Sequence, residues 1–119
     1  MAEVLVGVRD LLFREKINET ARLSNVSIRF ARPTELERLT IEEKPDLIIL
    51  DLEEEPEEYL KLIRRFKTSK LDSTPRIVGY LSHVNVALRE QALQAGCDVV
   101  LPRSTFSRDL SQILKTNSR

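Results

Sequence analysis

The segment "DLIILDL" (46–52) constrains the fold of this chain more than any other. Leu47, Ile48, Ile49 and Leu50 are apolar on consecutive residues. A strand with one face in water alternates apolar and polar residues. A strand apolar on both faces must be covered on both, as in a parallel sheet flanked by helices. "EVLVGV" (3–8) has the same character, and "VSIRFA" (26–31), "RIVGYL" (76–81) and "DVVLP" (98–102) are further short apolar runs. Stretches of helical length separate them. Strand–helix repeated five times implies an α/β fold, a doubly wound five-stranded parallel sheet of the flavodoxin-like type with strand order 2-1-3-4-5.

The intervening stretches carry helical stripes. Phe13, Ile17 and Ala21 recur at i, i+4, and Leu36 and Leu39 follow a Thr34–Glu37 pair that resembles a capping box. From Pro56 to Lys70, Tyr59, Leu60, Ile63 and Phe66 share a side. Acids (Glu57, Glu58) open that helix and bases (Arg64, Arg65, Lys67, Lys70) close it, the order its dipole favours. Leu88, Ala92 and Ala95 form the fourth stripe, stopped by Gly96. The fifth runs from Thr105 to Lys115 with Phe106, Leu110, Ile113 and Leu114 apolar. A loop is expected over "LDSTP" (71–75), and a frayed end over "TNSR" (116–119).

At 119 residues the chain is long enough for one domain, 1–119, with a real core. Lys plus Arg and Asp plus Glu stand at 19 each, so no global charge favours nucleic acid or an anionic membrane. A lone cysteine, Cys97, excludes an internal disulfide and a Cys-based zinc site, and reads as a small apolar filler. The first apolar stretch lacks a basic segment before it and is a strand rather than a signal peptide. No apolar run reaches the roughly 20 residues of a membrane span. The expected location is the cytoplasm.

In a sheet of this order, ligands sit beyond the carboxyl ends of the strands, where strands 1 and 3 diverge. Arg9 and Asp10 arrive there after strand 1, and Asp51 and Glu53 after strand 3. Ser82 and His83 follow strand 4, and Pro102, Arg103 and Ser104 follow strand 5.

On "PDLIILDL", "STPRIVGYLS" and "ALQAGCDVVLP", in this order and spacing, the whole length resembles the receiver domain of two-component response regulators, of the chemotaxis-regulator type. That resemblance implies transfer of a phosphoryl group from a partner histidine to Asp51. It implies two acids after strand 1 that help hold Mg²⁺, a Ser or Thr after strand 4, and a Lys before the strand-5 proline. This chain departs at most of these places. Val8 and Arg9 occupy the acid-pair positions, with Asp10 one residue late. Tyr80 falls where the hydroxyl residue is expected, and Ser82 fills that role only if strand 4 is two residues longer. Leu101 replaces the Lys, Asp98 replaces the switching aromatic, and "EEEP" follows the acceptor.

Single electrostatic stabilisers are worth roughly 3–4 kcal/mol in catalysis, so two or more losses would slow phosphorylation by orders of magnitude. The domain is therefore read as a degenerate, stand-alone pseudo-receiver, not an enzyme, with no cofactor; Mg²⁺ at Asp10 and Asp51 belongs only to the phosphoacceptor alternative. Arg9 is expected to pair with Asp51 and supply the missing positive charge. By analogy with receivers, contact with another signalling protein or a second copy is expected through helix 4, strand 5 and helix 5.

Rival readings are weaker. Ser82, His83 and Asp10 do not form a Ser-His-Asp site, because adjacent residues of an extended strand point to opposite faces. Ser82 is expected to cap helix 4, and Ser104 to cap helix 5 rather than bind an anion. The "EEEPEE" run (53–58) reads as a solvated loop and helix start. A flavodoxin-like binder of a nucleotide or flavin lacks the glycine needed in "VRDLLFRE" (8–15).

Overall fold

In the computed structural model, residues 2–68 and 74–115 are described. Ten elements alternate along them: β1 (Val4–Gly7), α1 (Leu11–Leu23), β2 (Ile28–Phe30), α2 (Pro33–Glu43), β3 (Leu47–Asp51), α3 (Pro56–Thr68), β4 (Arg76–Leu81), α4 (Val86–Ala95), β5 (Val99–Pro102) and α5 (Arg103–Lys115). The strands form one parallel sheet in the order β2-β1-β3-β4-β5. This is the topology expected from the alternation of apolar runs. Lys70, most of the 71–75 loop and the 116–119 end lie outside the described residues.

Two cores explain why β3 is apolar on consecutive residues. Ile48, Leu50 and Leu52 join Leu36 and Leu39 of α2, Ile63 and Phe66 of α3, and Leu88 and Ala92 of α4. Leu47 and Ile49 join Ile17 and Ala21 of α1 and Phe106, Leu110 and Leu114 of α5. Side chains alternate across a strand, so Asp51 continues the face of Leu47 and Ile49 toward α1 and α5. Register places Asp51 opposite Tyr80, and Tyr80 opposite Leu101.

Local chemistry corrects some expected boundaries. Pro33 is the first residue of α2, and its fixed φ suits that place. The cap is made by Glu35, whose carboxylate accepts from the Arg32 N–H at 3.0 Å, rather than by Thr34 with Glu37. α4 is capped by Asn85, not Ser82; its side-chain oxygen accepts from the Leu88 N–H. α5 begins directly at Arg103, which makes Ser104 its second residue and not its cap. Gly96 ends α4 at φ +121°, a conformation that L side chains rarely adopt. Cys97 is buried among the α2–α3–α4 core, and burial pushes its thiol up to about 11.

Gly79 lies at the centre of β4 against Leu52. A methyl group there would stand 2.6 Å from Leu52 Cδ1 and 2.8 Å from its Cγ. Gly79→Ala should therefore destabilise the fold by about 1–3 kcal/mol, the usual cost of overpacking. Urea denaturation checks it, and an unchanged midpoint would show that Leu52 moves aside freely.

Candidate functional site

Four segments meet beyond the carboxyl ends of the strands: the β1–α1 turn, the β3–α3 loop, the β4–α4 loop and the start of α5. Their geometry is set by three carboxylates from one short stretch, Asp51, Glu53 and Glu54.

Asp51 is one of two buried polar residues in the described core, at 5% exposure. Its Oδ1 accepts from the Glu53 N–H at 3.1 Å, and its other oxygen has no donor among the described residues. Burial pushes its carboxyl up to about 6, and the adjacent Glu54 carboxylate adds to the rise; the Glu53 N–H and the Arg103 guanidinium act the other way. Burial likewise raises the Tyr80 hydroxyl, helped by Asp51 and Glu54.

Glu54 turns back to the β1–α1 turn. Its Oε2 accepts from the N–H groups of Arg9 at 2.7 Å and Asp10 at 3.1 Å. Oε1 is buried and faces Arg9 Nε at 4.0 Å. Asp10 in turn caps α1, with Oδ1 accepting from the N–H groups of Leu12 and Phe13 at 2.9 and 3.1 Å. Four of the five backbone donors from Arg9 to Phe13 are thereby filled by two carboxylates.

Glu53 reaches the other way. Its Oε1 accepts from the Ser82 N–H at 3.0 Å and from Arg103 Nη2 at 3.2 Å. Its Oε2 accepts from the Asn85 side-chain amide at 3.1 Å. Arg103 also lies over the Phe13 ring, 5.9 Å from its centroid, and Phe13 stacks on Tyr80 and Phe106. A cleft of about 400 Å³ opens beside Arg103, lined by Phe13, Ser82, His83, Pro102 and Ser104 among others.

Several expectations need correction here. Arg9 does not pair with Asp51; it is exposed and pairs with Glu54 and with Glu55 at 3.6 Å. The cation that lowers the Asp51 carboxyl is Arg103, from the start of α5. Asp98, which stands in for the switching aromatic, lies away from this rim. Its Oδ2 accepts from the Ile77 N–H at 2.8 Å and its Oδ1 meets Lys67 Nζ at 3.4 Å, at the opposite end of the sheet. Glu53 and Glu54 are not a solvated run, because their side chains are 26% and 12% exposed. Leu101 packs, half-buried, on the α1–α5 core. The sequence reading missed Glu54 and Asn85. Asn85 was findable as an N-cap ahead of the α4 stripe; nothing in the local pattern distinguishes Glu54 from its acidic neighbours.

Mg²⁺ requires near-octahedral oxygen ligands. The donors here do not fit it. Asp10 is committed to α1 and Glu54 to the turn, while Arg9 already faces the Glu54 oxygen. Among the described residues no three His, Cys, Asp or Glu side chains converge as a metal site.

No family model matches the sequence, and no curated protein matches it. Solved structures do match. A response regulator from Hahella chejuensis superposes with a TM-score of 0.85 at 17% identity, covering 99% of this chain and 96% of that one. A signal receiver domain from Bermanella marisrubri gives 0.82 at 19%, covering all of both chains. The phosphorylated cyanobacterial phytochrome response regulator RcpA gives 0.74 at 16%, covering 97% and 89%. The chain thus has the fold of a response-regulator receiver domain.

The raised Asp51 carboxyl has a consequence for stability. An unfolded aspartate titrates near 3.9. With a folded value of about 6, the native state holds the proton more tightly. Stability is therefore greatest below the unfolded value and is lost as pH rises through the folded one. Asp51→Asn removes this penalty while keeping an oxygen for the Glu53 N–H. It should be more stable than the parent by about 1–3 kcal/mol above roughly pH 7, with the difference closing toward about pH 4. A difference that does not vary with pH, in urea titrations, would contradict the burial of a charged Asp51.

Proposed function

We propose that this chain is a receiver-type signalling module that acts through contact with another signalling protein and does not turn over a phosphoryl group. One observation carries the reading: the Glu54 carboxylate sits on the Arg9 and Asp10 amides, at the turn whose acids the receiver resemblance would give to Mg²⁺. A dianionic group at Asp51 would meet the buried negative charge of Glu54, with Leu101 in place of a second cation. The module is accordingly neither an enzyme nor dependent on Mg²⁺.

The β1–α1 turn also counts against a flavodoxin-like nucleotide or flavin binder. The amides of Arg9, Asp10, Leu12 and Phe13 are all taken by internal carboxylates, leaving no cradle for a phosphate. Contact is assigned to the face of α4, β5 and α5, either with a partner or with a second copy. The exposure of Val86 and Leu93 on α4 supports this. The balanced charge favours neither nucleic acid nor membrane, and no helix of the described residues is long and apolar enough to cross one. The cytoplasm is the compartment that fits.

A working phosphoacceptor is the second reading. It is favoured by the Asp51 oxygen that lacks a donor among the described residues, and RcpA, of the same fold, is phosphorylated in its own structure. Incubation with acetyl phosphate and Mg²⁺, followed by intact mass, separates the two. The expected mass is unchanged. A single phosphate adduct that disappears in Asp51→Asn would overturn the proposal.

A further inference from the structure

We infer that the rim contains an oxyanion-binding site whose resident ligand is the carboxylate of Glu53. Three donors of different kinds, from two segments distant in sequence, converge on it: the Ser82 N–H, the Asn85 side-chain amide and the Arg103 guanidinium. Each is held in place independently of Glu53. Ser82 directly follows β4, and its carbonyl accepts from the Asn85 N–H at 3.0 Å. The Asn85 amide is oriented because its oxygen caps α4. Arg103 opens α5 and lies over Phe13. A backbone N–H, an amide and a guanidinium around one carboxylate are what a free carboxylate or phosphate requires. The cleft beside Arg103 gives such an anion access.

Glu53 fills this site from within the chain. A tethered ligand competes at an effective concentration that dilute external anions do not reach. The site is thus closed in the parent protein, and the β4–α4 loop is fastened to the β3–α3 loop and to α5 without any external group. The inference rests on the proposed module that signals without turnover, and it supplies the means by which the rim keeps one shape.

The test uses amide exchange and thermal melting on the parent, Glu53→Ala and Glu53→Gln, with sodium acetate or inorganic phosphate added. In Glu53→Ala the Ser82 amide should exchange about tenfold faster or more, since it loses a charge-assisted acceptor. Acetate or phosphate should restore its protection and raise the melting temperature, and should do neither in the parent. Rescue by acetate alone fits a carboxylate-sized site, and rescue by both fits a general oxyanion site. Adding Arg103→Ala to Glu53→Ala should abolish the rescue. Glu53→Gln keeps the volume but sets an amide donor against Asn85 or Arg103. It should exchange faster at Ser82 and resist rescue, which keeps the test valid if the alanine variant folds poorly. Parent-like Ser82 exchange in Glu53→Gln, or Glu53→Ala that folds and ignores both anions, would overturn the inference. A phosphate adduct at Asp51 in the parent would instead overturn the signalling proposal and leave these exchange rates unaffected.

Discussion

The rim is governed by the need of backbone N–H groups at the strand ends for acceptors. The turn after β1 and the loop after β4 both bring donors to the carboxyl edge of the sheet, on either side of β3. One stretch after β3 supplies acids to both. Glu54 accepts from Arg9 and Asp10 on one side, and Glu53 from Ser82, Asn85 and Arg103 on the other. These bonds tie the ends of β1, β3, β4 and β5 together with groups that cannot diffuse away.

Electrostatics follow from that arrangement. With Glu53 and Glu54 both turned inward, Asp51 stands buried in a negative field, and its carboxyl is harder to ionise than an exposed one. Arg103 offsets part of this and is itself held by Glu53 and Phe13. Arg9 balances Glu54 and Glu55 from the solvent side. Positive charge at this rim is therefore already matched by negative charge of the chain itself. On the proposed reading the module presents a surface, because receiving a dianion would require the internal pairs to open.

The fold was legible because it rests on periodicity. Consecutive apolar residues in β3 demanded helices on both faces, and the stripes of Ile17, Leu36, Ile63, Ala92 and Leu110 supplied them. The placing of Asp51 at a buried strand end was legible for the same reason. Pairing among charged side chains was not. Arg9 lies beside Asp10 and within reach of several acids, and sequence spacing cannot choose between Asp51 and Glu54 when the loop geometry decides. Asp98 takes the place of the switching aromatic by resemblance, but β5 starts only at Val99, which leaves Asp98 at the far end with Ile77 and Lys67. A run of acids carries no local sign of which members turn inward.

The central claim is that internal carboxylates hold the positions that a metal ion and a phosphoryl group would need. A crystal structure grown with Mg²⁺ and a phosphoryl analogue such as beryllofluoride tests it most directly. The account predicts that Glu54 stays on the Arg9 and Asp10 amides and Glu53 on Ser82 and Arg103, with no analogue on Asp51. A divalent ion bound between Asp10 and Asp51, with Glu54 swung away from the turn, would contradict it.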